Sequence, residues 1–520
     1  MANKSLFQTI KGKLLPKTDA VNSEGAKAYN FTPEHALAQY AMTGCMNATF
    51  YASAEDQLTE VLALCEQVRP EFIAKLALYA RRDGYMKDLP ALLCAVLSVR
   101  GSDLLPAVFH EVVDDGKMLR NFVQILRSGV VGRKSLGTRP KRLVLEWFGK
   151  RSDEQIFKSS VGSAPSLADV IKMVHPKPST KSRDALFGYL IGKPYEAEEI
   201  CGLVREFERF KADPSTQTPD VPFQMLTGIE LNDGHWADIA RTASWQMTRM
   251  NLNTFQRHSV FEMPELVKLV AERLKNAELI RKAKVFPYQL LAAYKNASDE
   301  LPLEIREALQ DALEIATENV PKIEGQIVVL PDVSGSMQSP VTGFRKGATS
   351  KVQCIDVAAL VAATLLRLNP SAKVLPFEND VVSLQLNPRD SVMTNADRLR
   401  SIGGGGTNCS APLRKLNKEK AKVDLVVYVS DNESWMDKAR GPSATATLEA
   451  WAELKQRNPG ARLVCLDVTP NRTTQAGNDR DILNIGGFSD QVFPLIASFA
   501  RGELAGDQWV KSIEQLKFAA

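Results

Sequence analysis

Asp332, Ser334 and Ser336 set one carboxylate and two hydroxyls at alternate positions, directly after the apolar run Ile327-Val328-Val329-Leu330. A strand ending there delivers all three oxygens to one spot, and oxygen donors of this kind suit a hard divalent cation such as Mg²⁺. Two later pieces extend the set: Thr407 follows four glycines, and Asp431 closes a second apolar run, Asp424 to Ser430. Asp-x-Ser-x-Ser alone is a weak pattern, because Asp, Ser and Gly are ordinary turn residues. Three pieces in order, each at a strand-to-loop exit, favour a metal site over a bland turn.

That order resembles the metal-ion-dependent adhesion site of von Willebrand factor A domains. The resemblance implies that Asp332, Ser334 and Ser336 hold the ion, that Thr407 binds directly or through water, and that Asp431 acts through water. It also implies an open position for a partner's carboxylate.

The elements that must position these residues alternate. A strand over Gln326 to Leu330 precedes a helix over Cys354 to Leu368, then strands over Lys373 to Phe377 and Asp424 to Ser430. A helix over Ala444 to Gln456, strands over Ala461 to Leu466 and Gln491 to Phe493, and a helix from about Gln508 complete the series. The pattern predicts a parallel, doubly wound α/β domain with its site at the carboxyl ends of the strands. From about Phe31 to Asn319, in contrast, apolar residues recur at spacings of three and four, as in Glu71 to Ala80 and Leu89 to Leu97, and no segment before Gly325 reads as a strand. Short helices joined by short turns over this length suggest stacked helical hairpins of the HEAT kind, with a compact helical domain as the alternative.

A chain of 520 residues exceeds the size at which single cores tend to split, so more than one domain is expected. Its 44% hydrophobic and 24% charged content is that of globular proteins. No apolar window approaches a membrane span and no signal-peptide core follows Met1, which makes a cytoplasmic protein without membrane partners the expectation. Seven scattered cysteines without a Cys-x-x-Cys pair fit reduced thiols rather than zinc.

Net charge is only +4, but it is unevenly placed: between Lys117 and Lys193 stand sixteen Lys/Arg against five Asp/Glu, leaving the remainder net acidic. The densest part, Gly132 to Arg142, carries Arg133, Lys134, Arg139, Lys141 and Arg142, with Arg127 just before it and Lys158, Lys172, His175 and Lys177 after. A positive field of this extent attracts phosphate backbones and makes binding salt-dependent. The bland alternative is a solvated basic face. Trp147, Phe148 and Phe157 have helical spacing and read as core rather than as platforms for bases, and His175 closes a helix, where an imidazole often only caps carbonyls.

Together, Ala80-Arg81-Arg82, Leu126-Arg127, Leu145-Glu146-Trp147-Phe148, Asp169 to Pro178 with its His-Pro-Lys-Pro, Lys284 to Tyr288, and Val329 to Met337 resemble the TROVE-domain family, the Ro ribonucleoproteins, in their bacterial form. The resemblance divides the chain into an extension (1–29), a HEAT-like helical RNA-binding domain (30–323) and an A domain (324–520). It implies a monomeric ring with a positive central hole. Small noncoding Y RNA would bind the outer surface, and single-stranded 3′ ends of misfolded RNA would enter the hole. Exoribonucleases such as polynucleotide phosphorylase are the implied partners, in RNA quality control. Lys158 and His175 match family positions that touch Y RNA; Gly162 departs from a frequent arginine.

An enzyme is not expected. Gly403 to Gly406 lacks the lysine of a phosphate-binding loop, Ser334 is not in a Gly-x-Ser-x-Gly elbow, and no histidine follows His258. Two rivals remain: a metal-assisted phosphatase or nuclease using Asp332 and Asp431, and a Mg²⁺-dependent adaptor that captures a partner's carboxylate.

Overall fold

Local signals start and stop the helices of the first three hundred residues. In the computed structural model, which describes residues 15–43, 46–226, 228–283, 285, 287–344, 351–436, 444–487, 489 and 491–518, Pro70 opens the helix Pro70–Arg82 and Arg81 and Arg82 end it, matching its dipole. Asp115 caps Gly116–Ser128 by accepting from the Met118 N–H at 2.7 Å, and Gly129 ends it in the left-handed region at φ 83°. Ser166 and Asp169 form a reciprocal capping box at the start of Leu167–Val174, which His175 closes at φ 50°. Cys45, Lys284 and Phe286 lie outside the described residues.

Each helix packs chiefly on near neighbours: Pro70–Arg82 on Asp88–Arg100, Leu167–Val174 on Lys181–Ile191, Pro264–Leu274 on Leu303–Thr317. This is the packing of a helical array, as the rhythm of the sequence suggested. Both ends of the array rest on the C-terminal domain. At the start, Trp509 Nε1 donates to the Tyr79 hydroxyl at 3.2 Å and Lys75 Nζ to the Glu514 carbonyl at 2.7 Å. At the end, Lys295 pairs with Asp356 and Asp397, and Glu314 accepts from Arg367 Nε and from the Val392 N–H. The chain therefore closes on itself through the α/β domain. One apolar core continues from the helices onto a sheet face, where it includes Val329, Val427, Leu466 and Leu483.

The sheet is parallel, in the order β4-β3-β5-β6-β8 (Lys373–Val374, Ile327–Pro331, Leu425–Ser430, Arg462–Asp467, Ile482–Gly486). Alternate residues of one strand enter different cores: Ile327 and Val329 join the first, Val328 and Leu330 a second with Leu413, Trp451 and Leu454 from the helices Ser410–Lys418 and Ala446–Arg457. Both faces are covered, which is why β3 and β5 read as unbroken apolar runs.

Three expectations are corrected. Gln491 to Phe493 is not a strand but the entry to the helix Val492–Ala500, and the sheet edge is formed instead by β8, whose Asn484 breaks the apolar run. Of Lys373 to Phe377 only Lys373–Val374 is regular strand, although Leu375 and Phe377 still donate to Val329 and Pro331. Two short strands do precede Gly325: β1 (Ala20–Val21) and β2 (Lys27–Asn30) form a small antiparallel sheet with β7 (Thr473–Thr474). β1 and β2 pair with each other over only two residues, and the other partner of β2 lies more than four hundred residues away, so neither leaves a clear local signature. Among the described residues no helix is long and apolar enough to cross a membrane.

Candidate metal centre and nucleic-acid interface

Asp332 leaves the carboxyl end of β3 with its N–H bonded to the Val429 carbonyl at 3.0 Å, which fixes it beside the end of β5. The Ser334 N–H donates to Asp332 Oδ1 at 2.8 Å and the Ser430 hydroxyl to Asp332 Oδ2 at 2.5 Å, while Ser334 Oγ and Ser336 Oγ stand 3.3 Å apart. The glycine run is threaded against this turn, with the Gly404 N–H on the Val333 carbonyl at 2.8 Å and the Gly335 N–H on the Gly405 carbonyl at 2.9 Å. Gly403 is required there: its φ is 88°, and a β-carbon would overlap the Val333 carbonyl. The run ends at buried Thr407, whose carbonyl accepts from Trp435 and Met436, tying it to the loop that carries Asp431.

All five residues expected to hold a cation are thus buried around the strand ends. Burial, and then the charge of Asp431, push the Asp332 carboxyl up to about 7, and burial raises Asp431 as well. Asp431 Oδ1 is buried without a hydrogen-bond partner, and among the described residues neither carboxylate has a Lys or Arg partner. Two desolvated like charges, hydroxyls alongside and an orphaned carboxylate oxygen form the environment that a hard divalent cation relieves. The residues fit the group, which when bound would supply a Lewis-acidic centre held by Asp332, Ser334, Ser336, Thr407 and Asp431. Among the described residues no three His, Cys, Asp or Glu side chains gather in a metal-binding group, in keeping with a donor set of three hydroxyls and two carboxylates. Ser430, Tyr51, Glu433 and Asn471 surround the centre without having been singled out in the sequence. Ser430 alone carried a signal, as a hydroxyl next to Asp431.

The ten cationic candidates separate by what they already do. Arg133 donates to the Ser98 and Ser135 carbonyls and Arg139 to the Ser102 hydroxyl at 2.7 Å, so both pin the basic loop to the end of the helix Asp88–Arg100. Arg142 pairs with Glu146 one turn on, and half-exposed Lys158 reaches Asp220 at 2.8 Å. Among the described residues Arg127, Lys134, Lys141, Lys172, His175 and Lys177 have no ion pair or side-chain hydrogen bond, and all but Lys141 are exposed. Lys172 and Arg127 flank Asp169, whose carboxyl is held low by Ser166 first and by these two charges in addition.

Lys172 and His175 also line an open cleft of about 700 Å³ together with Lys181, Lys193, Asp184, Glu196 and the exposed ring of Tyr195. Lys181, Lys193 and Tyr195 were not among the candidates; Lys181 and Lys193 were visible only as part of the charge excess. Trp147, Phe148 and Phe157 are buried, as expected of core residues, and Trp147 Nε1 donates to the Val113 carbonyl at 3.0 Å. The space beside Gly162 is taken by the Arg120 guanidinium, which donates to the Ser159 carbonyl at 3.0 Å.

Residues 326–500 match the family model described as the Ro60 vWA domain. This segment is a Ro60-type vWA domain. Over 552 aligned residues, covering 96% of this chain and all of the relative, the sequence is 24% identical to the RNA-binding protein RO60 of Deinococcus radiodurans. The crystal structure of the Deinococcus radiodurans RO (RSR) protein superposes with a TM-score of 0.64 at 21% identity, covering 91% of this chain and all of the other. That likeness carries the fold, a helical region followed by a vWA domain; the family-model match and the aligned relative agree with the Ro resemblance read from the sequence.

Proposed function

We propose that this chain binds structured RNA through the basic face of its helical array. The observation that carries the reading is the cleft beside Leu167–Val174 and Lys181–Ile191, lined by Lys172, His175, Lys181 and Lys193 against the two acids Asp184 and Glu196. Lys172 and Lys193 have no carboxylate partner among the described residues, and Lys181 has only an exposed one, Glu199 at 3.5 Å. Side chains of this kind meet phosphates at little cost, because at most one weak, solvent-screened pair must be broken. Shape and backbone contacts suffice for a folded RNA, which needs no base-specific readout. The name of the Deinococcus relative, an RNA-binding protein aligned over nearly the whole chain, supports the same reading.

In its finer form the proposal follows the family: a small Y-type RNA on the outer basic face, single-stranded 3′ ends of misfolded RNA in the opening of the ring, and an exoribonuclease such as polynucleotide phosphorylase acting on what is presented. Closure of the array through its own α/β domain supports a monomer. The A domain binds a divalent cation, Mg²⁺ by the hardness of its donors, and acts as a binder rather than an enzyme. Among the described residues no histidine bonds the Ser334 or Ser336 hydroxyl.

The test is RNA affinity for nucleic-acid-free protein, for Lys172→Glu/Lys193→Glu, and for Asp332→Ala. Charge reversal weakens binding and flattens its salt dependence, while Asp332→Ala leaves it intact. Equal binding by all three proteins removes the proposal.

A further inference from the structure

The metal centre lies beneath the seam where the helical array begins. Tyr51, in the segment between the helices Pro33–Thr43 and Ala54–Gln67, brings its hydroxyl 3.5 Å from Asp431 Oδ2 and close to the Ser336 side chain. One phenol from the helical region thus touches two of the five expected cation ligands, from 380 residues away in sequence. The turn is pinned from both sides. Asn47 Nδ2 donates to the Thr342 carbonyl at 2.7 Å, the Phe344 N–H to the Ala48 carbonyl at 2.6 Å, and Gln57 Nε2 to the Asn47 carbonyl at 2.6 Å. Alongside, the Ser23 N–H and hydroxyl donate to the Glu433 carboxylate at 2.8 and 3.1 Å, and Asn22 Nδ2 to the Ser434 carbonyl at 2.8 Å. Tyr51 and Glu433 also line a cavity of about 360 Å³.

We propose that the metal centre is the latch of this seam: a divalent cation held by Asp332, Ser334, Ser336, Thr407 and Asp431 fixes Ser336 and Asp431 where they receive Tyr51, so cation binding and seating of the Tyr51 turn on the α/β domain reinforce each other. This rests on the metal reading of the five residues. The physical cause is charge. Four carboxylates, Asp332, Asp431, Glu433 and Asp467, are buried at this seam, and Asp467 is reached from the helical side by Gln39 Nε2 at 3.2 Å. A cation takes up the charge of Asp332 and Asp431 in this dry contact and fixes the orientation of Asp431, the carboxylate that Tyr51 meets. The coupling is reciprocal, so a seated Tyr51 must hold the cation more tightly than a lifted one.

The experiment uses the full chain with Mg²⁺ as probe, and combines calorimetry for binding with hydrogen exchange at the Ser23 and Phe344 amides, both of which donate across the seam. Saturating Mg²⁺ slows exchange at these amides in the wild type by about 5- to 150-fold, the usual range of a coupling between sites. Tyr51→Phe keeps the ring but loses the hydroxyl; it still binds Mg²⁺, more weakly, and loses most of that protection. Asp332→Asn shows neither binding nor protection. Mg²⁺ binding with unchanged exchange, or a Tyr51→Phe protein equal to wild type in both readouts, overturns the latch while leaving the metal site standing. Absence of any Mg²⁺ heat in the wild type overturns the metal reading and the latch with it.

Discussion

Replacing Lys172, Lys181 and Lys193 together by glutamine removes three cations from one cleft while leaving its walls, so the loss in RNA affinity measures what those charges contribute. Each phosphate contact contributes roughly 0.7 to 0.9 to the slope of log K against log salt, so three contacts flatten the slope by about 2 to 3. At about 0.1 M monovalent salt the same contacts amount to roughly a hundred- to five-hundredfold in affinity. Lys181 has a single weak partner, Glu199, and Lys172 and Lys193 have none among the described residues, so little is recovered by releasing internal pairs. All three side chains are exposed, and each substitution should alter stability by no more than about 0.5 kcal/mol. The assay is fluorescence anisotropy of a labelled RNA stem-loop, titrated from about 50 to about 200 mM salt, the range over which such slopes are well resolved. A triple variant that binds as tightly as wild type, with the same slope, refutes the assignment of this cleft. A weakened variant with an unchanged slope refutes the electrostatic account of it.

Trp147→Ala should cost about 3 to 5 kcal/mol of stability in urea unfolding, through the cavity and the lost bond to Val113, with RNA affinity of the folded fraction unchanged; a stable variant that has lost affinity would make the ring a base platform. Gly403→Ala should abolish Mg²⁺ binding and lower stability, because the left-handed backbone and the Val333 carbonyl leave no room for a methyl group; calorimetry showing wild-type affinity counts against the threaded-loop geometry. With Asp332 pushed up to about 7 in the folded chain and near 4 when unfolded, the folded state holds the extra proton. Metal-free protein should therefore lose stability as pH rises from about 4 to about 7, whereas Asp332→Asn should lack this component and Mg²⁺ should suppress it. Melting temperatures in chelator that show no difference between the two proteins across that window dispose of the idea.

Where an element was fixed by its own composition, the sequence reading and the structure agree. β3 and β5 are apolar on both faces because both faces are covered, and the helix Cys354–Leu368 is bounded within a residue of its expected limits. Asp332 and Asp431 were legible for the same reason, since each follows directly on such a strand. What depended on distant partners was not legible: β2 pairs with β7 as well as with β1, and Tyr51 meets Asp431 only because the array closes on the α/β domain. Val492–Ala500 begins with the same apolar residue types as a strand and is separated from one only by its length and packing. Charge counting pointed to a region without distinguishing Arg133 and Arg139, which pin the loop, from Lys172 and Lys193, which are exposed.

The central claim, that RNA is held by the basic face of the helical array, is tested most directly by crosslinking nucleic-acid-free protein to a folded RNA with a free 3′ tail and mapping the attached peptides. The account predicts adducts concentrated between Lys117 and Lys193, with Lys172 and its cleft among them. Adducts confined to the α/β domain, or no binding at modest salt, would contradict it.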